Sequence, residues 1–168
     1  MRTVFASHSD VCRAWAAQSQ MVGRGGNISF NRDTIYSYDW WPMARLLPDG
    51  TVLLRDETYS QSTCQHQNHV WRAVYSRTRQ IFNVIDCVND DHAANIAHYV
   101  ARCRESADQF WNSRYYGSGG RARYLVCVEE AKKYATYFKC EHLLPPLFGL
   151  ELDGPRAKTK LGKRIVEV

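Results

Sequence analysis

The sequence predicts an α+β fold: a mainly antiparallel sheet of about five to six strands with three or four helices packed on it. Three observations lead there. Short apolar runs flank turn signals twice, "NISF" and "TIYSY" around "NRD", then "MARLL" and "TVLLR" around "PDG", which is the pattern of β-hairpins. Two later stretches repeat apolar residues at helical spacing. The inferred order, β-α-β-β-β-β-α-β-α-α, lacks the strict alternation that builds a parallel sheet.

The elements follow in order. "TVFAS" (3–7) reads as a short strand. Ser7 and Asp10 form a capping pair for a helix through about Gln20, with Val11, Ala14 and Trp15 on its apolar side. "GRGG" (23–26) reads as a flexible joint that breaks the chain. Two hairpins then occupy Asn27 to Asp56; in the second turn, proline fixes φ and glycine supplies a positive one. "RLL" and "VLL" carry apolar groups on both strand faces, so part of the sheet is expected to be covered on both sides. A helix from about Ser62 to Arg77 and a buried strand, "IFNVIDCV" (81–88), come next. Asn89 and Asp90 are candidate caps for a long helix to Ser113, whose stripe includes Ala93, Ile96, Val100, Cys103 and Ala107. "YYGSGGR" (115–121) reads as a connector, and a last helix runs from about Arg123 to Cys140. The reading draws one domain over 1–145 and a basic arm over 146–168, extended unless a partner holds it.

Bulk properties narrow the function classes. The chain has 168 residues, 45% hydrophobic and 23% charged, with a net charge of +5. Residues 1–80 hold nine arginines and six acids, residues 81–131 five and seven, and residues 132–168 eight basic residues and four acids. Every lysine lies in the last segment. Arginine suits bidentate recognition of phosphate or carboxylate, although codon usage in a GC-rich genome yields the same bias. The longest apolar runs, such as "YLVCV" (124–128), are too short to cross a bilayer, and no membrane partner is expected. "MRTVFASHSD" lacks the apolar core of a signal peptide, so the expected location is the cytoplasm of a host cell, with virion association as the variant. The six cysteines are then expected to be reduced thiols.

The stretch with the most chemistry is "YSQSTCQHQNHVWRAV" (59–74). Read structurally, Ser60 or Ser62 caps a helix and Val70, Trp71 and Val74 form its buried stripe. Read functionally, the helix start with His66 and His69 meets an anion, or one histidine acts as a general base with Ser62 or a water. Metal spacing is poor: His66/His69 and Cys140/His142 are half-sites, His92 and His98 are isolated, and neither C-x-x-C nor H-E-x-x-H occurs. No metal or cofactor is expected. "GRGGN" and "GSGGR" lack the lysine and hydroxyl of a phosphate loop, which leaves Arg24 and Arg121 as secondary phosphate contacts.

"YSYDWWP" (36–42) is the other unusual feature. Tyr36, Tyr38, Trp40 and Trp41, flanked by Arg32, Arg45 and Arg55, suit base stacking on single-stranded nucleic acid or a protein hot spot; packing under helices is the structural alternative. Arg72 and the tail residues Lys158, Lys160, Lys163 and Arg164 complete the candidate interface.

Together, "GNISFNRDTIYSYDWWPMARLL…GTVLL…TYSQSTCQHQNHVWRAV" resembles a family of small uncharacterised proteins in phage and bacterial genomes. The shared pattern falls on Asn27 and Phe30, Asp33 to Tyr38, Trp41 to Ala44, and Thr58 to His66, within about residues 8–75. Arg32 and Asp39 stand where the pattern usually has glycine. The resemblance transfers no activity and implies a phage-type accessory protein. Asp33, Thr34, Ser60, Thr63 and His66 also read as one polar cluster tying a hairpin to a helix.

The leading expectation is a non-enzymatic protein that binds nucleic acid or a host nucleoprotein complex, for example as a counter-defence inhibitor. A structural or assembly protein, with self-association, is one alternative. A small nuclease or hydrolase using His66 or His69 is the other.

Overall fold

A computed structural model of the chain describes residues 3–75, 77, 80–112, 118–146 and 148. The chain divides into two compact units, Met1–Asp91 and His92–Val168. The sequence reading drew a single domain through 145. The boundary falls at the turn where the Asp86 carboxylate accepts the backbone N–H groups of Val88, Asn89 and Asp91.

The first unit holds a helix, α1 (His8–Ala16), then strands β1 (Val22–Gly25), β2 (Ile28–Asn31), β3 (Thr34–Ser37), β4 (Trp41–Leu46) and β5 (Val52–Arg55). Helix α2 (Gln61–Val74) and strand β6 (Ile81–Val84) complete it. The six strands form one sheet in sequence order. The first five are antiparallel neighbours, and β6 runs parallel to β5. Helix α2 supplies the crossover that a parallel pair requires. The fold class is therefore α+β, as the sequence predicts.

Turn chemistry explains the meander. In the "NRD" turn, Asn31 pairs with Thr34, and Arg32 at the first central position has φ 55°. The "PDG" turn closes with Leu47 donating to the Thr51 carbonyl at 2.8 Å and Gly50 at φ 87°. Between β3 and β4, Ser37 pairs with Trp41 across a loop in which Tyr38 and Asp39 have φ 54° and 65°.

Two sequence expectations need correction at the N-terminal end. "TVFAS" is not a strand; it makes an isolated parallel bridge, Val4 to Arg24. "GRGG" is not a flexible joint, because Gly23 and Gly25 lie inside β1. Their bareness has a packing reason. A Cβ on Gly23 would fall 2.5 Å from the Phe30 ring, and one on Gly25 2.6 Å from Val11. Low strand propensity is here outweighed by close approach of α1 and Phe5 to the sheet.

The core of this unit joins α1, α2 and the sheet. Trp15, Ile28, Ile35, Met43, Val52, Val70 and Val74 are all fully buried. Ser7 caps α1 by accepting the Asp10 N–H at 3.2 Å, as the sequence predicts. Trp15 locks the helix to the first hairpin by donating its indole N–H to the Asp33 carbonyl at 2.8 Å.

The second unit is built on two helices, α3 (His92–Asn112) and α4 (Ser118–Phe138). Their inner faces bring together Ile96, Tyr99, Cys103 and Ala107 with Tyr124, Val128, Ala131, Tyr134 and Ala135, all buried. Buried Tyr134 meets His92 Nδ1 and Asn95 Nδ2 through its hydroxyl, each at 2.8 Å. Gly119, Gly120 and Arg121, expected in a connector, belong to the first turn of α4. The rest of that expected connector, 115–117, lies outside the described residues, as do 147 and 149–168 and with them all but residues 146 and 148 of the expected basic arm. No described helix is long and apolar enough to cross a membrane. All six cysteines are free thiols, and burial pushes Cys12 up to about 12 and Cys87 to about 11.

Candidate nucleic-acid interface

Helix α2 begins at Ser60, whose hydroxyl accepts the Thr63 N–H at 3.2 Å. From that start, helical spacing turns Thr63, His66, Val70, Ala73 and Val74 inward. His66 is 5% exposed, and its Nδ1 shares a 2.7 Å hydrogen bond with the hydroxyl of fully buried Ser37. This contact ties α2 to β3. His69, one step round, shares a 3.1 Å bond with Ser9 of α1. His8 approaches both rings, with centroids 4.9 Å from His66 and 5.8 Å from His69.

Three imidazoles in one place repel protons. Burial lowers the His66 pKa, and the nearby His8 and His69 lower it further. His69 is lowered by burial, then by His8 and Arg72. Both rings are therefore neutral at neutral pH. A serine beside a histidine has the form of a nucleophile and base, yet Ser37 is closed to solvent. Among the described residues no carboxylate hydrogen-bonds to His66 or His69, and no three His, Cys, Asp or Glu side chains are grouped to hold a metal ion. Ser62 is exposed in the first turn of α2 and takes no part in the cluster.

The single polar cluster expected from the sequence resolves into separate pairs: Thr34 with Asp33, Ser60 with Thr63, and His66 with Ser37. The tie between hairpin and helix exists, but through Ser37.

On the outside lies a different surface. The left-handed residues Tyr38 and Asp39 turn the chain sharply, and Trp40 emerges 59% exposed. Its ring meets Trp41 at 5.5 Å and Tyr59 at 5.6 Å, and Trp41 meets Tyr59 at 5.8 Å. Tyr59 is 70% exposed. Trp41 is partly buried against the core, and the Arg55 guanidinium lies 4.2 Å over its ring. Arg55 also pairs with Glu57 at 3.5 Å. Two buried donors in this group, Trp41 Nε1 and Arg55 Nε, have no hydrogen-bond partner. Farther along α2, exposed Trp71 and Tyr75 stack at 4.5 Å.

The other candidates are dispersed. Tyr36 is half-buried opposite Ser29 and Pro42. Tyr38 is 43% exposed and leans toward His66 at 5.5 Å. Arg32 is exposed at the first hairpin turn. Arg45 is engaged inside its own unit: Nη1 donates to the Val88 carbonyl at 3.0 Å, and Nη2 pairs with Asp90. Arg24 is exposed on β1 and Arg121 on α4. Arg72 lines a cleft of about 310 Å³ with Ser9, Arg13, His69, Ala73 and Arg77. Lys158, Lys160, Lys163 and Arg164 lie outside the described residues.

Sequence reasoning missed His8, Ser9, Arg13, Ser37, Tyr59 and Arg77 as members of these groups. Tyr59 had a local signal, an aromatic residue beside the helix cap. The others meet their partners only through tertiary packing.

The fold thus defines an α+β sheet-and-helix unit with an aromatic outer patch. Comparison with family models, curated proteins and solved structures finds no match to this chain.

Proposed function

We propose that this chain is a binding protein for single-stranded nucleic acid, free or within a host nucleoprotein, of the phage accessory type. The observation that carries the reading is the exposed Trp40–Trp41–Tyr59 cluster with Arg55 over one ring. Large apolar side chains are costly to leave in water, so their clustering at a strained loop marks a contact surface. Aromatic faces accept any base, and each stacked base contributes about 1–3 kcal/mol. The arginine-only composition of residues 1–131 supports the same reading. The likeness to phage proteins supports the accessory role, with counter-defence as its context.

The test is intrinsic tryptophan fluorescence during titration with oligothymidylate at several salt concentrations. The expected result is quenching of Trp40, with log affinity falling linearly against log salt by about 0.7 for each phosphate contacted. No quenching, or affinity indifferent to salt, would remove the reading.

A further inference from the structure

We propose that the cleft between α1 and α2, lined by Ser9, Arg13, His69, Arg72 and Arg77, binds a phosphate group as the dianion of a phosphate monoester. This site is separate from the aromatic patch and does not rest on it.

The cleft is made by helix geometry. Ser9 and Arg13 are four residues apart and share one side of α1, while His69, Arg72 and Ala73 share one side of α2. Arg77 follows just beyond the helix, its N–H donating to the Val74 carbonyl at 2.8 Å. Ala73 has almost no side chain, which leaves the floor open. The resulting space, about 310 Å³, accommodates a phosphate with room for its substituent.

Charge is the second argument. Three arginines line this space, and their one ion pair among the described residues joins Arg13 to Asp10 at 3.4 Å with both side chains well exposed. Such a pair is weak and exchangeable. Arg72 and Arg77 form no ion pair among the described residues. Uncompensated like charges repel, and an anion between them removes that cost. Planar guanidinium forks match phosphate oxygens in pairs. Three forks and a hydroxyl offer more donors than the two oxygens of a carboxylate can accept, and this favours phosphate.

His69 supplies an independent readout. Its ring is approached by His8 of α1, with centroids 5.8 Å apart, feels Arg72 on α2, and lines the cleft together with Arg13 and Arg77. Burial first, then His8 and Arg72, lowers its pKa; a bound dianion adds a negative charge beside the ring, so phosphate should raise the His69 pKa.

The experiment titrates inorganic phosphate into the full chain while following the His69 imidazole signals by NMR. Saturable binding is expected, with the His69 pKa moved upward. In the double variant Arg72→Gln/Arg77→Gln, affinity should fall by at least about tenfold, each lost contact being a charge-assisted hydrogen bond. Both residues are exposed, and an unchanged circular dichroism spectrum verifies the fold. Trp40→Ala/Tyr59→Ala should leave phosphate binding intact, so failure of the aromatic reading is visible separately. A 5′-phosphorylated oligothymidylate binding more tightly than its 5′-hydroxyl counterpart, in the parent chain but not in the arginine double variant, assigns the phosphate to a nucleic-acid end. Equal affinity of the two oligonucleotides, with free phosphate still bound, assigns it to a small phosphorylated molecule. No saturable phosphate binding, or binding that the arginine double variant leaves unchanged, overturns the proposal.

Discussion

Ser37 and Trp40 stand three residues apart on one hairpin and have opposite surroundings. Ser37 is a hydroxyl in a closed interior, paired with a histidine that has also left water. Trp40 is an indole left 59% exposed, its ring set against those of Trp41 and Tyr59. A buried polar group and an exposed large apolar one are the two informative exceptions to ordinary burial, and here they mean different things. The imidazole group serves cohesion: its bonds tie α2 to α1 and to β3, and α1 to the turn at Asn27. The Trp40 indole is held outward by a loop with two left-handed residues, the placement that the proposed contact role requires.

The comparison can be broken by moving one side without the other. The largest effect is expected for Trp40→Ala/Tyr59→Ala, which should weaken oligothymidylate binding by about 2–4 kcal/mol while leaving the thermal midpoint unchanged. Fluorescence anisotropy with a labelled oligonucleotide, beside a melting curve, checks both halves. His66→Ala should do the opposite. It leaves the Ser37 hydroxyl unpaired in a dry site and should cost about 1–3 kcal/mol of stability, read from urea denaturation. Adding Ser37→Ala should cost less than the two single losses combined, because the partners act as a pair.

Acidity should sharpen the same contrast. The folded pKa values of His66 and His69 lie below the ordinary 6.5, so the unfolded chain takes up protons first as pH falls. Their contribution is whole above about 6.5 and is lost as pH drops through the folded values. The urea midpoint should therefore decline from pH 7.5 to 5.5, and decline less in His66→Ala. A midpoint that rises over this range would contradict the neutral buried imidazoles. The smallest effect belongs to the loop: Asp39→Gly, at φ 65°, should gain less than about 1 kcal/mol, since glycine adopts that conformation without a Cβ clash but enters with more chain entropy. Differential scanning calorimetry resolves a shift of that size.

These regions also differ in how well the sequence announced them. The hairpins around "NRD" and "PDG", the Ser7 and Ser60 caps and the burial of Val70 and Val74 rest on residues within a few positions of one another, and local chemistry suffices to read them; Trp71, expected in the same buried stripe, is instead 43% exposed. Strand β1 was hidden because Gly23 and Gly25 look like breakers, and their reason lies in Phe30, Phe5 and Val11 across the packing. The pairing of His66 with Ser37 spans 29 residues and that of Ser9 with His69 spans 60, beyond any periodicity argument. Arg32 and Asp39 are instructive: both adopt positive φ without being glycine. Trp40 and Trp41 were legible as an aromatic run, but whether they faced inward was decided by the loop before them.

The most direct test sets Trp40→Ala and His66→Ala beside the parent chain and measures oligothymidylate affinity at a temperature where all three are folded. The account predicts a loss of about tenfold for Trp40→Ala, equivalent to one stacked base, and a change within about twofold for His66→Ala, which alters no contacting group. Full affinity in Trp40→Ala with binding lost in His66→Ala would contradict it.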